Sequence, residues 1–230
     1  MLRSEIDAAI DSARAFAAGA VFPLPAFAGW SRDEWLGRDD LLGPTISRGL
    51  GWDVTDFGRG DFARYGLCLC TIRNGSMSDV DDNTAQTYAE KFMVIEIGQE
   101  TPFHFHPRKT EDIINRGGGV LHVEVYPADD RRLGTGVTRT LVDGIETEVI
   151  AGEGIIIRPG QSIQIPSGAF HRFWAEDARV LGGEVSAIND DDTDNVFLEQ
   201  FPRYASIEED AEARYLLVGE YAAILGSSRN

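Results

Sequence analysis

The stretch "TPFHFHPRKTED", residues 101–112, decides how the rest of this chain is interpreted. It holds His104 and His106, two of only four histidines in 230 residues, and Glu111 follows five positions after the second. Side chains at positions i and i+2 of a strand point to the same face, so the two imidazoles are predicted to project side by side. Pro107 breaks the strand and lets the chain turn back toward Glu111. The stretch therefore predicts three potential metal ligands grouped at one turn.

A fourth potential ligand, His171, follows the turn-forming run "PSGAF" much later in the chain. A single histidine is more often hydrogen-bonded to a backbone carbonyl in a core than bound to metal, and that alternative stays open here. Three imidazoles and one carboxylate suit a divalent ion such as Mn, Fe, Co, Ni or Zn. Four ligands on an octahedral ion leave two positions open, as in a catalytic site. His122, in "VLHVEVY", is interpreted as a residue of a barrel wall or surface, with contact to a metal ligand as the alternative.

Composition predicts one domain with ordinary globular character, because the chain is 43% hydrophobic and 26% charged. Neither a bilayer-spanning apolar run nor a signal peptide is recognised, and a cytoplasmic location is expected.

Cys68 and Cys70 are predicted to be reduced thiols in a core strand, and a metal role for them is the weaker alternative. A net charge of -17 argues against nucleic acid and anionic membranes as partners. The acidic runs at 79–83, 189–195 and 207–210 are interpreted by default as solvated loops.

Helices are predicted near the start of the chain. Apolar residues recur at helical spacing after Ser4, which with Asp7 is a plausible N-cap signature. Ser31 and Glu34 have the spacing of a capping box before a second, short helix. Residues 1–48 are therefore predicted to be a helical extension that packs on the rest of the protein.

Residues 49–230 are predicted to form a β-barrel with a C-terminal extension. Short β-rich runs punctuated by glycine follow one another here, which is typical of a sandwich or barrel. The tail from 208 to 225 is ambiguous between a closing helix and another structure, because it mixes helix-forming, aromatic and β-branched residues.

Two spaced motifs resemble those of the cupin superfamily. The first is Gly98, His104, His106, Glu111 and Gly118, separated by five, one, four and six residues. The second is Gly160, Pro166, Gly168 and His171, separated by five, one and two residues. The one departure is Ala175, where cupins usually have an asparagine that is not a metal ligand. The resemblance implies an all-β, double-stranded β-helix (jelly-roll) barrel in which His104, His106, Glu111 and His171 converge on a metal.

Longer strings resemble the D-lyxose isomerase family in particular. They are "WDVTDFGRGDF" (52–62), "KTEDIINRGGG" (109–119), "TLVDGIET" (140–147), "PGQSIQIPSGAFHRFWAE" (159–176) and "GGEVSAINDDDTDN" (182–195). This resemblance implies an aldose–ketose isomerase that converts D-lyxose to D-xylulose, and also D-mannose to D-fructose, through a cis-enediol. It further implies a divalent ion, with Mn expected and Co, Fe, Ni or Zn as alternatives, and a homodimer.

The same resemblance suggests roles for residues outside the metal set. Lys109 is expected to assist proton movement between the sugar oxygens, and Glu208 to be the base, with Glu209 as its alternative. Glu184, Asp190 and Asp191 are candidate substrate-binding residues, although a salt bridge or a solvated turn would also explain them. The glycines of "RGGG" are interpreted as serving a tight turn rather than a phosphate site, which favours a free monosaccharide as the substrate.

Two other functions remain open at this point. A non-haem iron dioxygenase can use the same four ligands, and an apolar aromatic pocket would favour it. A non-catalytic sugar-binding or storage cupin is the other alternative, which the two open metal positions argue against.

Overall fold

The computed structural model describes residues 1–79 and 84–221. Its helices precede its strands along the chain: α1 (Arg3–Gly19), α2 (Arg32–Leu36) and α3 (Asp39–Ser47). Helix α1 buries Ile6, Ile10, Ala13 and Ala17, whose spacing places them on one face. That face packs on the outer side of the sheet. No helix among the described residues has the length and apolar character needed to cross a membrane.

The two predicted helix caps have different outcomes. Ser31 accepts a hydrogen bond from the Glu34 backbone, and the Glu34 carboxylate accepts one from the Ser31 backbone, so the predicted capping box is confirmed. Ser4 does not cap α1, which begins one residue earlier, at Arg3. The Ser4 hydroxyl instead donates to Asp210, at 2.6 Å, because the C-terminal segment lies beside this end of the helix.

Within residues 1–79 and 84–221, twelve strands form the body of the protein. They are β1 (Gly51–Thr55), β2 (Leu67–Arg73), β3 (Tyr88–Ile95), β4 (His104–Phe105), β5 (Glu111–Asp129), β6 (Arg132–Leu133), β7 (Val137–Val142), β8 (Ile145–Ile150), β9 (Ile155–Ile157), β10 (Ser162–Ile165), β11 (Ala169–Ala187) and β12 (Val196–Phe197). The main sheet runs in the order β1-β2-β3-β11-β5-β10-β7-β8, and its named strands pair antiparallel. Strands β4 and β12 add a short layer at the edge of β11. The predicted all-β barrel with helices before it is confirmed.

Side-chain alternation along the strands separates two buried clusters. On β2, Cys68 and Cys70 face outward and pack with α1, whereas Leu69 between them faces the barrel interior. Both cysteines are buried and free, as predicted. The interior cluster also contains Met93 of β3 and Ile113 of β5, so apolar residues fill the part of the barrel beneath the metal motif.

Gly118 and Gly119 let the backbones of the two longest strands, β5 and β11, approach each other closely where they pair. Gly118 has a positive φ of 97°, and a Cβ there would lie 2.1 Å from the carbonyl oxygen of Arg179 on β11. A side chain at this position would therefore push the strands apart. The predicted tight turn is not found at these glycines, because they lie inside β5, where its register with β11 is irregular.

The C-terminal segment returns to the N-terminus of the chain. The Glu208 amide donates to the carbonyl of Met1, and its own carbonyl accepts from the amide of Arg3, each at 2.9 Å. The described part of the ambiguous tail holds one 3-10 turn, Val218–Glu220, and ends at Tyr221, whose backbone is helical. Residues 222–230 and most of the acidic run at 79–83 lie outside the described residues.

Candidate metal centre

Four side chains from three strands meet at one end of the barrel. His104 of β4 lies directly opposite His171 of β11 in the antiparallel register. Glu111 is the first residue of β5, and His106 comes directly after the last residue of β4. One potential ligand atom from each of the four side chains lies within 4.8 Å of the others. The cluster predicted from the sequence is therefore assembled, and it can hold a divalent metal ion.

Backbone carbonyls fix the orientation of all three imidazole rings. The Nδ1 atom of His104 hydrogen-bonds to the carbonyl of Pro102 at 2.8 Å, and that of His171 to the carbonyl of Ala169 at 3.1 Å. The Nδ1 atom of His106 reaches the carbonyl of Asp194 at 2.5 Å. Because Nδ1 is the donor in each case, the lone pair of Nε2 is left free for a metal.

Unsatisfied atoms in the cluster indicate that a cation belongs there. Among the described residues, Glu111 Oε2 and His171 Nε2 are buried and lack a hydrogen-bond partner. Glu111 Oε2 does lie 2.9 Å from the Lys109 ammonium, without the angles of a hydrogen bond. His171 Nε2 lies 2.9 Å from Glu111 Oε1, so two lone pairs face each other. A cation between the two groups removes that repulsion, and the donor set therefore fits a metal.

The protonation of the cluster also suits a metal. Burial lowers the pKa of His106 to about 4, and burial with the neighbouring histidines holds the pKa of His104 well below its usual value. Burial would raise the pKa of Glu111, but Lys109 and His106 outweigh it and lower that pKa. At neutral pH both imidazoles are therefore neutral and the carboxylate is ionised, which are the forms that coordinate metals.

A small cavity of about 40 Å³ adjoins the cluster. One wall is apolar and comes from the inward positions of three neighbouring strands: Leu67 and Leu69, Met93, and Ile113. Phe57 and Phe197 close it on another side. The volume admits about one water molecule, whereas ligand pockets typically measure about 300–1,000 Å³.

The opposite wall of the cavity is charged. The Lys109 ammonium lies 2.9 Å from Glu111 and 2.7 Å from Glu184. Lys91 is the cross-strand partner of Glu184, and it lies 3.4 Å from that carboxylate and 3.5 Å from Asp191. All five of these side chains are at least 86% buried, since the most exposed, Asp191, is 14% exposed. Buried ionised groups at this density are typical of a functional site.

Arg203 extends this charged wall from the C-terminal segment. Its guanidinium pairs with Asp53 of β1 and, at 3.1 Å, with Asp191. Burial would raise the pKa of Asp191, but Arg203 and Lys91 outweigh it and hold that pKa well below its usual value. Asp191 is therefore firmly ionised and a poor proton acceptor.

The predicted substrate and catalytic residues divide into two groups. Glu184 and Asp191 line the cavity, and Lys109 lies behind them, 2.7 Å from Glu184. Asp190 does not line the cavity, since its carboxylate pairs with Arg108 at 3.2 Å on the outer side of the loop.

The structure does not bring Glu208 or Glu209 to the cluster. Glu208 is exposed in a surface groove with Met1 and Asp56, because its backbone pairs with the start of the chain. Glu209 pairs with Arg3 at 2.7 Å in a separate, larger groove. The two carboxylates of "IEED" therefore lie apart from the four clustered side chains in this structure. The position of a carboxylate in this run depends on a pairing with residues 1–3 that its local sequence does not reveal.

His122 does not contact the metal ligands. Its ring stacks on Trp174 and hydrogen-bonds to Glu176, 59% of whose side chain is exposed. This position agrees with the interpretation of His122 as a residue of the barrel wall.

Several residues of the site were not identified from the sequence. They are Lys91, Arg203, Asp194 and Asn195. Lys91 did carry a signal, because it is a lone cation before the apolar run "FMVI" on a strand that is buried on both sides. The others lie in loops, where no periodicity marks an inward direction.

Asp194 joins its loop to the turn that carries the metal ligands. Its carbonyl accepts from His106, and its carboxylate accepts from the backbone amides of Arg108, at 2.9 Å, and Lys109, at 3.1 Å. Asp194→Asn keeps one acceptor but turns an NH₂ group toward a backbone N–H. We expect this change to lower the affinity for Mn²⁺ by about 10–100-fold, measured by equilibrium dialysis, as for other supports of metal ligands.

Asp192→Asn is the matched control for that prediction. It removes an exposed carboxylate from the same loop. This carboxylate accepts a hydrogen bond from the Tyr204 hydroxyl at 3.2 Å. Its Mn²⁺ affinity should equal that of the unmodified protein. Equal affinities for both variants would show that Asp194 does not position His106.

Comparison with known proteins places this site in a family. The family model described as D-lyxose isomerase matches residues 1–221. The chain belongs to the D-lyxose isomerase family. A relative in this family, the D-lyxose/D-mannose isomerase of Escherichia coli O157:H7, is 44% identical over 225 residues, which cover 96% of this chain and 98% of the relative. The enzyme of the same name from Serratia proteamaculans is 47% identical over 203 residues, which cover 86% and 88%. The prediction of a sugar isomerase is confirmed by this membership.

Solved structures show the same fold at low sequence identity. L-ribose isomerase of Acinetobacter sp. DL28 in complex with L-ribose matches with a TM-score of 0.58 and 15% identity, covering 90% of this chain and 98% of that chain. L-ribose isomerase of Cellulomonas parahominis with L-ribose gives a TM-score of 0.57 and 17% identity at the same coverage.

Proposed function

We propose that this protein is a metal-dependent isomerase of free monosaccharides that interconverts D-lyxose with D-xylulose and D-mannose with D-fructose. The observation that carries the proposal is a buried His₃–Glu cluster beside a cavity that Glu184 also lines, with the Lys109 ammonium 2.7 Å behind that carboxylate. The relatives named D-lyxose/D-mannose isomerase support this choice of substrates.

The metal set is His104, His106, Glu111 and His171, and we infer that Mn²⁺ is the native ion. A bound divalent ion supplies Lewis-acid polarisation of a sugar carbonyl and stabilises the negative charge of an enediolate. Imidazole and carboxylate ligands are also compatible with Co, Fe, Ni or Zn.

Glu184 is the proposed base that moves a proton between C1 and C2. Its carboxylate lines the cavity beside the clustered ligand residues and lies 2.7 Å from the Lys109 ammonium, which places a carboxylate oxygen where a proton must be accepted. Asp191 is the less suitable carboxylate, because Arg203 and Lys91 hold its pKa well below its usual value.

Lys109 is the proposed group that stabilises charge on the sugar oxygens and assists proton movement between O1 and O2. Burial would lower its pKa, but Glu111 and Glu184 outweigh burial and raise that pKa above its usual value. The ammonium is therefore charged at neutral pH. Its position between a metal ligand and the base places a positive charge where an enediolate would develop.

The charged wall favours an isomerase over a non-haem iron dioxygenase. Oxygenation requires no buried acid–base pair beside the metal ligands, whereas enediol chemistry does. Turnover in D₂O distinguishes the reactions, because an enediol route places solvent deuterium at C1 or C2 of the product. Oxygen uptake without such labelling would contradict the proposal, and metal binding without turnover on any aldose would favour the sugar-binding alternative.

Removal of the metal should abolish isomerisation. We expect dialysis against EDTA to reduce ketose formation from D-lyxose and D-mannose below detection, and Mn²⁺ to restore it. Retention of full activity at a metal content near zero would exclude a metal-dependent reaction. The same assay on a panel of pentoses and hexoses measures which aldose is preferred.

We further infer that the enzyme is a cytoplasmic homodimer. Two buried free thiols suit a reducing compartment, and the dimer follows from the family resemblance alone. Light scattering at micromolar concentration measures the dimer, and a mass near 25.2 kDa would contradict it.

A further inference from the structure

We propose that Asn195 is a substrate-binding residue that hydrogen-bonds to a sugar hydroxyl at C3 or C4. This inference rests on the proposed function and deepens it. It addresses the part of the sugar that neither the metal ligands nor the Glu184–Lys109 pair is assigned to hold.

The pairing of β12 with β4 brings Asn195 to the cavity. Val196 pairs with Phe105, and Phe197 pairs with His104, in an antiparallel register. Phe197 lines the cavity, and Asn195, two positions earlier, lies on the same side. Continuing this register places Asn195 beside His106, so its amide is close to the metal ligands without being one of them.

The amide of Asn195 has an unsatisfied oxygen. Five buried side-chain atoms lack a hydrogen-bond partner within residues 1–79 and 84–221, and Asn195 Oδ1 is one of them. Two others, on Glu111 and His171, are explained by the metal. The remaining two belong to Asp7 and Thr138, which do not line this cavity. Asn195 Oδ1 is therefore the unsatisfied atom of the cavity that the metal does not explain.

The chemistry of the amide identifies the group that it would bind. A buried acceptor needs a donor, and the cavity's own cations are already paired with carboxylates. A neutral hydroxyl is the appropriate partner, because it donates to the amide oxygen and also accepts from the amide NH₂ if the group is turned over. In the free protein the cavity admits about one water, which the hydroxyl would replace.

The substrates narrow the choice of hydroxyl. D-Lyxose and D-mannose have the same configuration at C2, C3 and C4 and differ beyond C4. In the proposed reaction the oxygens at C1 and C2 face the metal and the acid–base pair. The hydroxyls at C3 and C4 are therefore the remaining groups that one fixed amide meets in both sugars.

Binding of non-reacting sugar alcohols tests the proposal without depending on turnover. The probes are the pentitol corresponding to D-lyxose and its 3-deoxy and 4-deoxy analogues, measured by calorimetry on the Mn²⁺-loaded protein. The variant is Asn195→Leu, which has a similar volume and cannot hydrogen-bond. We expect the variant to bind the pentitol about 3–10-fold more weakly, as for the loss of one hydrogen bond between neutral groups. Mn²⁺ content and thermal stability should not change.

A comparison across the analogues identifies the contact. The unmodified protein should bind one of the two deoxy analogues more weakly than the pentitol, by a similar factor. Asn195→Leu should bind that analogue as tightly as it binds the pentitol, because the hydrogen bond is already absent. In turnover, the variant should raise KM for D-lyxose and leave kcat within about twofold. Asn195→Asp keeps the acceptor and should bind the pentitol more tightly than Asn195→Leu.

The outcomes separate this proposal from the proposed reaction. Two results would overturn the role of Asn195 and leave the proposed isomerase unaffected. In the first, the affinity lost through Asn195→Leu and the affinity lost through the missing hydroxyl are independent for both analogues. In the second, Asn195→Leu binds the pentitol as tightly as the unmodified protein does. A protein that shows the expected pattern with the alcohols but isomerises no aldose would overturn the reaction and support the binding role.

Discussion

Glu184→Gln is expected to lower kcat for D-lyxose by about 10²–10⁴-fold, the range over which a positioned general base accelerates proton transfer. Glutamine has the same shape but cannot accept the C–H proton. The affinity for Mn²⁺ should change little, because Glu184 is not among the four clustered ligand residues. Stopped assays of ketose formation, together with metal analysis of each preparation, measure the effect.

Glu208→Gln is the matched control for this prediction. It makes the same chemical change at the carboxylate that sequence similarity suggested as the base and that the structure finds exposed. Its kcat should lie within about twofold of the unmodified protein. A large loss of kcat in Glu208→Gln together with normal turnover in Glu184→Gln would show that Glu208, and not Glu184, is the base.

Deuterium exchange gives a second measurement for Glu184→Gln. Exchange of solvent deuterium into the substrate should disappear together with turnover in this variant.

Arg203→Met is expected to lower the free energy of unfolding by about 3–5 kcal/mol, because it removes the ion-pair partner of buried Asp53 and leaves Asp191 with Lys91 alone. The side chains of Arg203, Asp53 and Asp191 are 12%, 6% and 14% exposed. Burial raises the pKa of Asp53 even with the guanidinium present, so its charge depends on that partner. The corresponding fall in melting temperature is on the order of 10 °C for a chain of this size, measured by calorimetry.

The surface provides a control for the effect of burial. Arg59 pairs with Glu199 at 3.1 Å, but their side chains are 37% and 66% exposed. Arg59→Met should therefore cost at most about 1 kcal/mol. Adding Asp53→Asn to Arg203→Met should recover part of the loss, because it removes one unpaired charge. A cost for Arg203→Met no larger than that for Arg59→Met would show that water reaches the charged wall.

The metal set could be predicted from the sequence because local rules govern it. Strand alternation places His104 and His106 on one side, and Pro107 provides the turn before Glu111. The second motif adds His171, which the structure pairs with His104 across strands. Spacing along the chain was sufficient here because each motif is a strand end with its turn.

The acid–base group could not be predicted in the same way. Glu184 was identified only as a candidate binding residue, and Lys91 was not identified at all, although the two are cross-strand partners. Their partnership depends on the register of β3 against β11, strands that are about 90 residues apart in the chain. Register between distant strands follows from the packing of the whole sheet, which no local pattern reports.

The sequence by itself determined the barrel, the helices before it and the four clustered side chains that could hold a metal, because periodicity, caps and turn residues act over a few positions. Only the tertiary structure decided which carboxylates face the metal. It placed Glu208 at the surface, where its segment pairs with residues 1–3, and it placed Asn195 and Arg203 in the cavity. Loop residues have no periodic direction, so their inward or outward position is set by the distant strands and charges on which they pack.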